Sequence, residues 1–154
     1  MNSITKITLL IFYILLSSCG YKPILSVKNS NFAITNIKFV GEKNIASKIN
    51  NNFKIYKNTE GKNKFYDLEI FINKEKKIVT KDSKGDPQIF EIVISADLIV
   101  LENSEVKDKK TILKNFTYNN SSNKFNLKRY EKSIEDNLID EIVSSIILHI
   151  HAMQ

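Results

Sequence analysis

Few side chains in this sequence have types and spacings suited to catalysis or metal binding. His149 and His151 are the only histidines, and a separation of two residues places them roughly 200° apart around a helix, too far to share one metal ion. Asp136 and Asp140 would share a helix face with Lys132, a spacing typical of a solvated, ion-paired face. We therefore expect these side chains to lie on a C-terminal helix and to stabilise it. We expect no catalytic residue, no metal and no cofactor.

Short catalytic motifs are also absent from the sequence. It contains no glycine-rich phosphate loop, no nucleophile elbow and no zinc-protease motif, and glycine occurs only four times in 154 residues. A site assembled from scattered residues would leave no such motif. The sequence nevertheless favours a binding or assembly protein over an enzyme.

Cys19 is the one cysteine of the chain and directly follows a segment typical of secretion. The run from Ile7 to Leu16 is apolar apart from Thr8, and Lys6 precedes it. Its length fits the h-region of a signal peptide and is about half of the roughly 20 apolar residues that a spanning helix needs. We predict a signal peptide over residues 1–18.

The four residues that end at this cysteine indicate lipid attachment. Leu16-Ser17-Ser18-Cys19 resembles the lipobox of bacterial lipoproteins, in which the cysteine thiol is diacylglycerylated before cleavage and the new amino terminus is then acylated. Each buried methylene contributes about 0.8 kcal/mol, so two or three acyl chains hold a protein firmly on a membrane. The alternatives are a buried cysteine in a membrane-anchor helix and chance placement after an ordinary signal.

A group of lysines comes shortly before the turn signal Gly85-Asp86-Pro87 in the sequence. The group consists of Lys74, Lys76, Lys77, Lys81 and Lys84. Several ammonium groups at one hairpin end can meet anionic headgroups without being buried, which makes this group the candidate anion-binding site. The alternative is an edge strand whose lysines only prevent sheet-to-sheet aggregation.

The net charge limits the class of partner. The formal net charge is +6, and removal of residues 1–18 takes away only Lys6, so the mature chain stays basic. For an exported lipoprotein, a basic balance favours anionic lipid or glycolipid and gives no reason to expect nucleic acid. The alternative is a compositional bias toward lysine and asparagine.

The mature chain shows strand patterns behind a short tether. Residues 19–31 have no clear period and predict a lipidated N-terminus and tether, followed by a single domain over residues 32–154. A bulge near Thr35-Asn36 would reconcile the two apolar faces of the first strand. Residues 73–88 are expected to include a turn, and residues 102–110 a charged turn. Strands are predicted at Phe32–Val40, Phe65–Ile72, Ile89–Leu101 and Thr111–Tyr118.

Two segments have helical periodicity. Ile45, Ile49, Phe53 and Tyr56 form one stripe of a short helix, and a longer stripe runs from Ile134 to Ile150. The resulting order β-α-β-β-β-α predicts an α+β fold in which two helices pack on one face of a four-stranded mixed sheet.

The residues that follow the lipobox resemble the start of one lipoprotein family. Cys19-Gly20-Tyr21-Lys22-Pro23-Ile24-Leu25 is similar to the start of the LPS-assembly lipoprotein (LptE) family, where the lipidated cysteine precedes glycine, an aromatic residue, often a basic residue, proline and an apolar pair. The predicted order of elements also fits that family. Only these seven residues are motif-like, and no ligand residue of the family can be matched to a position here.

The resemblance implies a non-enzymatic, lipid-anchored protein of the outer membrane that faces the periplasm. Such a protein plugs and helps assemble an outer-membrane β-barrel LPS-assembly protein, and it contacts lipopolysaccharide during export. An aspartate directly after the lipidated cysteine retains some lipoproteins in the inner membrane. This chain has Gly20 at that position, so outer-membrane sorting is permitted. The lysine group would then bind lipopolysaccharide. The alternatives are an envelope assembly or pilot lipoprotein without glycolipid binding and a lipid-anchored hydrolase.

Overall fold

The computed structural model describes residues 30–153, so Cys19 and the signal and lipobox predictions lie outside the described residues. Two helices and four strands account for most of this part of the chain. In chain order these are β1 (Phe32–Gly41), α1 (Lys43–Phe53), β2 (Lys64–Lys81), β3 (Pro87–Glu102), β4 (Glu105–Asn119) and α2 (Lys124–Ala152). A 3-10 turn, Lys54–Tyr56, extends α1.

The strands lie side by side in chain order, β1-β2-β3-β4. β1 runs parallel to β2, and the other two pairs are antiparallel. A parallel pair needs a crossover, which α1 supplies, whereas tight turns suffice for the antiparallel pairs. The predicted α+β class, the mixed sheet and the order β-α-β-β-β-α are all confirmed.

The core lies between one face of the sheet and the two helices. Leu68 pairs with Val100, Ile70 with Leu98 and Ile72 with Ala96, and all six side chains are buried. Both predicted helical stripes cover this face, from Ile45 to Tyr56 and from Ile134 to Ile150. Full burial of an Ile or Leu side chain contributes about 1.5–3 kcal/mol, so this face supplies most of the stabilisation.

β1 contains the bulge that its sequence requires. Its register with β2 shifts between Ile34 and Asn36, which confirms the predicted irregularity near Thr35-Asn36. Phe32 and Ile34 are buried before the shift, and Ile37 and Phe39 are half-buried after it. The extra residue turns the strand by one position, so that the even-numbered apolar residues before it and the odd-numbered ones after it all pack on the core.

Two predicted connections are wrong in extent. β2 continues through the lysine-rich segment to Lys81, whereas the predicted strand ended at Ile72. The predicted charged turn over residues 102–110 shortens to Asn103 and Ser104, which have φ angles of 55° and 67°. Backbone pairing with β3 makes strands of both polar segments, because the backbone hydrogen bonds of the ladder form whatever the polarity of the side chains.

α2 begins well before its apolar stripe. The side chain of Asn123 caps the helix by accepting a hydrogen bond from the backbone N–H of Asn126 at 3.0 Å. Leu127 is the first buried residue of the helix. Within residues 30–153, no helix combines the length and the hydrophobicity needed to cross a bilayer.

Candidate functional site

A cleft opens where β2 extends beyond β1. The last β1–β2 pair is Gly41 with Ile72, and the following part of β2 has only β3 beside it among residues 30–153. α1 starts just after Gly41 and crosses over the sheet, while α2 returns along the other strands. These three elements enclose a cleft of about 580 Å³.

The cleft is lined by more basic than acidic side chains. Its charged lining comprises two glutamates, Glu131 and Glu135 of α2, and five lysines: Lys48 of α1, Lys74 and Lys76 of β2, and Lys128 and Lys132 of α2. The excess of positive charge in a partly enclosed space favours an anionic ligand.

The N-terminus of α1 adds to this preference for anions. Its N-cap residue, Glu42, makes no side-chain capping hydrogen bond, and the first turn contains no acidic residue. Asn44, in that first turn, lines the cleft. Backbone N–H groups and the helix dipole at such a terminus attract negative charge.

Glu135 joins two of the lysines in the deeper part of the cleft. Lys48 Nζ donates to Glu135 Oε1 at 3.0 Å, and Lys74 donates to the other carboxylate oxygen. Burial opposes the charge of Glu135, but the hydrogen bonds from Lys74 and Lys48 outweigh burial and lower its pKa. Burial likewise opposes the charge of Lys48, and hydrogen bonds to Asp136 and Glu135 raise its pKa.

Glu131 fixes the other β2 lysine that lines the cleft, Lys76. Lys76 Nζ donates to Glu131 Oε1 at 2.6 Å and lies 4.1 Å from the centroid of the Phe90 ring. Tyr118 Oη donates to the same glutamate oxygen at 2.7 Å. Burial opposes ionisation of Glu131, but its hydrogen bonds from Lys76 and Tyr118 lower the pKa, while burial and Glu131 raise the pKa of Tyr118.

The lysines of the cleft therefore fall into two groups. Lys48, Lys74 and Lys76 are held in ion pairs, whereas Lys128 and Lys132 form no ion pair within residues 30–153. An anion would meet the ammonium groups of Lys128 and Lys132 first and share the others with Glu131 and Glu135. This arrangement is suited to binding, and it presents no nucleophile activated by a neighbouring base.

The lysine group predicted from the sequence is divided by the fold. Lys74 and Lys76 enter the cleft. Lys77, one residue later in the strand, lies on the opposite face of the sheet, where its Nζ is 3.2 Å from Glu75. Lys81 and Lys84 are exposed near the end of the β2–β3 hairpin. The predicted group thus includes two of the cleft lysines and omits Lys48, Lys128 and Lys132. Lys128 and Lys132 are four residues apart on one helix, and this spacing is the only feature of the sequence that could have linked any of the three.

Asp136 and the two histidines singled out from the sequence have separate partners. Asp136 pairs with Lys48 of α1 at 2.5 Å, where a partner on its own helix was expected. His149 Nε2 is 2.6 Å from Asp108 Oδ2, and the His151 ring lies edge-on to Phe32 with 5.1 Å between centroids. No group of three potential metal ligands exists within the described part of the chain.

Sequence comparisons give no family for this chain. No protein-family model matches it, and no curated protein matches its sequence significantly. The fold, in contrast, has counterparts among solved structures.

Three of the similar structures are bacterial lipoproteins. A lipoprotein B from Nitrosomonas europaea has a TM-score of 0.59 at 14% identity, covering 87% of this chain and 92% of that one. A minor lipoprotein from Acinetobacter baumannii has a TM-score of 0.57 at 10% identity, covering 78% and 90%. Rare lipoprotein B from Shewanella oneidensis has a TM-score of 0.54 at 11% identity, covering 77% and 98%. The chain therefore shares its fold with these bacterial lipoproteins over nearly their whole solved length.

Proposed function

We propose that this protein is a lipoprotein of the outer membrane, anchored through Cys19 and facing the periplasm. It assembles with and plugs an outer-membrane β-barrel LPS-assembly protein and assists the transport of lipopolysaccharide to the cell surface. The observation that carries the proposal is the presence, in one chain, of a segment that resembles a lipobox and ends at Cys19, together with a fold found in bacterial lipoproteins. Among the functions of envelope lipoproteins, the resemblance of residues 19–25 to the LPS-assembly lipoproteins favours lipopolysaccharide transport.

The sheet face opposite the helices supports docking to a larger protein. It exposes apolar side chains such as Phe71 and Leu113 beside polar pairs. Lys38 Nζ is 3.0 Å from Glu69 Oε1, and Thr111 donates to Asp97 at 2.6 Å. Such a mixture suits contact with the polar interior of an outer-membrane barrel, because the paired polar groups can keep their partners when a larger protein covers them.

The basic cleft supports the contact with lipopolysaccharide. Lipid A carries phosphate groups, and each basic side chain near an anionic lipid surface contributes about 1 kcal/mol. Lys128 and Lys132 would provide the direct contacts, and Lys74 and Lys76 would add to the positive field. The two glutamates hold three of the lysines in place, and the five lysines still leave the cleft with a net positive charge.

A second function is favoured by the same ion pairs. Three of the five cleft lysines have carboxylate partners, and such pairs are also a means of fastening α1 and α2 to the sheet. On that basis the cleft is structural, and the protein is an envelope assembly or pilot lipoprotein that makes no contact with glycolipid.

Affinity purification and depletion of the protein test the proposed function. The full chain, carrying a C-terminal tag and extracted in mild detergent, is expected to co-purify with an outer-membrane β-barrel. Depletion should lower the amount of assembled barrel and of surface lipopolysaccharide before other lipoproteins change. A barrel that assembles normally, with unchanged surface lipopolysaccharide, would contradict the proposal. Loss of the barrel together with a chain that binds no lipopolysaccharide would favour the pilot function.

A further inference from the structure

The outer edge of β4 is open over its whole length in the described structure. Among residues 30–153, β4 pairs with β3 on one side and with no strand on the other. α2 packs behind it, and the two elements leave a groove of about 490 Å³ along the edge. An open edge presents unpaired backbone N–H and C=O groups to any extended chain that reaches it.

A hydrogen-bonded pair and an ion pair bound this groove. His149 of α2 contacts Asp108 of β4 at one end, and Glu141 of α2 lies 3.4 Å from Lys114 of β4 at the other. Asp108 and Lys114 are six residues apart in an extended strand, which corresponds to about 20 Å. The groove therefore has room for an extended segment of about six residues.

Apolar side chains line both sides of the edge. Leu148 of α2 is 46% exposed on the side of the sheet that faces the helices, and Leu113 of β4 is 59% exposed on the other. Side chains of an added strand would alternate between these two sides, so both leucines would gain a neighbour.

The charge of β4 restricts what can pair with it. The strand carries Lys107, Lys109, Lys110 and Lys114 against Glu105 and Asp108. Lys109 and Lys110 are consecutive, point to opposite faces and have no ion pair within residues 30–153. A second copy of this edge would bring the same excess of positive charge against it, which is unfavourable. An acidic segment would meet a positive charge on either face.

We propose that the β4 edge binds an extended, acidic and apolar segment of a partner protein, which adds to the sheet as a fifth strand. Backbone hydrogen bonds to β4 provide the affinity. Carboxylates of the segment face Lys109 or Lys110, and its apolar side chains cover Leu113 or Leu148. The lysines have a second effect, because they disfavour the self-association to which open edges are prone. This site is separate from the basic cleft and does not depend on the proposed function.

The test uses an eight-residue fluorescent peptide in which Glu and Val alternate, added to the full chain in mild detergent. Fluorescence anisotropy measures its affinity, and hydrogen exchange of the backbone amides locates its binding. Two peptides serve as controls: one with Lys in place of Glu, and one with N-methylated backbone that cannot pair as a strand. The protein variant carries both Lys109→Glu and Lys110→Glu, and a variant with Lys81→Glu and Lys84→Glu, on the exposed end of the β2–β3 hairpin, is its matched control.

The proposal predicts binding of the Glu-Val peptide together with slower exchange of the outward-facing amides among residues 109–114, since the alternate amides already bond to β3. The variant with Lys109→Glu and Lys110→Glu should bind the peptide about tenfold more weakly, whereas the hairpin variant should bind it like the parent. Equal binding of the N-methylated or the lysine peptide would overturn the proposal, as would protection of amides outside β4. Edge amides that exchange as slowly as those of β3 before any peptide is added would also overturn it, because the edge would then already be covered.

Discussion

Gly41 lies so close to Ile72 that a Cβ atom at Gly41 would be 2.0 Å from the carbonyl oxygen of Ile72. Its φ angle is +109°, a conformation that residues with a side chain rarely adopt. This contact is the last pair between β1 and β2. The next inward position of β2 is Lys74, which enters the cleft. The end of β1 therefore marks the place where the core stops and the basic cleft begins.

Gly41→Ala is expected to destabilise the fold. A residue forced into this conformation costs about 1–3 kcal/mol, and the close contact with Ile72 adds to that cost. Urea denaturation of the full chain measures the change in the free energy of unfolding. Gly85→Ala is the matched control, since Gly85 has φ of +88° and no atom within 4 Å of an added Cβ. Equal losses in the two variants would show that the contact with Ile72 contributes nothing.

Glu135→Gln should lower stability while increasing the affinity of the cleft for anions. The variant removes the carboxylate shared by Lys48 and Lys74. Because both lysines are about one-third exposed, the loss should be near 1 kcal/mol. Titration with inorganic phosphate, followed by NMR, should show tighter binding than in the parent. Glu105→Gln, on the exposed start of β4, is the control. A weaker affinity for phosphate in Glu135→Gln would show that Glu135 does not compete with the ligand.

The apolar pattern of the sequence predicts most of the fold. Leu68, Ile70 and Ile72 alternate because one face of β2 is buried, and the stripe from Ile134 to Ile150 follows the helix because one side packs on the sheet. The extension of β2 to Lys81 and the short turn at Asn103 were missed for a physical reason. A strand segment with polar side chains on both faces shows no alternation of hydrophobicity. Its pairing with β3 is what makes it a strand, and that pairing is not visible in the sequence pattern.

The site was less accessible from the sequence than the fold. Lys74 and Lys76 were identified because they are close together in the chain. Lys48 lies on α1, whereas Lys74 and Lys76 lie on β2, and the partner of Lys48, Glu135, is 87 residues away in the sequence. Such a contact depends on how α1 and α2 cross the sheet, and neither hydrophobic periodicity nor residue spacing determines that geometry.

Stability should fall as the pH decreases below about 6.5, and His151 should cause part of that fall. Burial lowers the pKa of His151 from its ordinary value of 6.5. Above pH 6.5 the side chain is neutral in both states; below it, the unfolded chain takes up a proton that the folded chain resists. Thermal or urea unfolding between pH 7.5 and about 5 should therefore show less pH dependence in His151→Phe than in the parent. An unchanged slope would rule out this contribution.

Cys19→Ala should leave the precursor uncleaved by the lipoprotein-specific peptidase, because that enzyme requires the acylated thiol. Mass spectrometry of the native protein should show a chain that starts at Cys19 and carries added acyl mass. Ser18→Ala is the matched control, since a small residue remains before the cysteine. A native chain that is unmodified, or that begins after Cys19, would contradict the lipid anchor.

Lipopolysaccharide binding by the cleft is tested most directly with two triple variants of the full chain. One replaces Lys48, Lys128 and Lys132 with glutamine, and the other replaces Lys77, Lys81 and Lys84, so that each loses three positive charges. Urea unfolding first establishes that both variants fold. Binding to lipopolysaccharide is then measured at 0.1 M and 1 M salt, between which the Debye length falls from about 10 Å to about 3 Å. The cleft variant should bind about tenfold or more weakly at low salt and lose most of its salt dependence, whereas the outer variant should resemble the parent. Equal weakening by both variants, or a cleft variant that binds like the parent, would contradict the assignment of the ligand to this cleft.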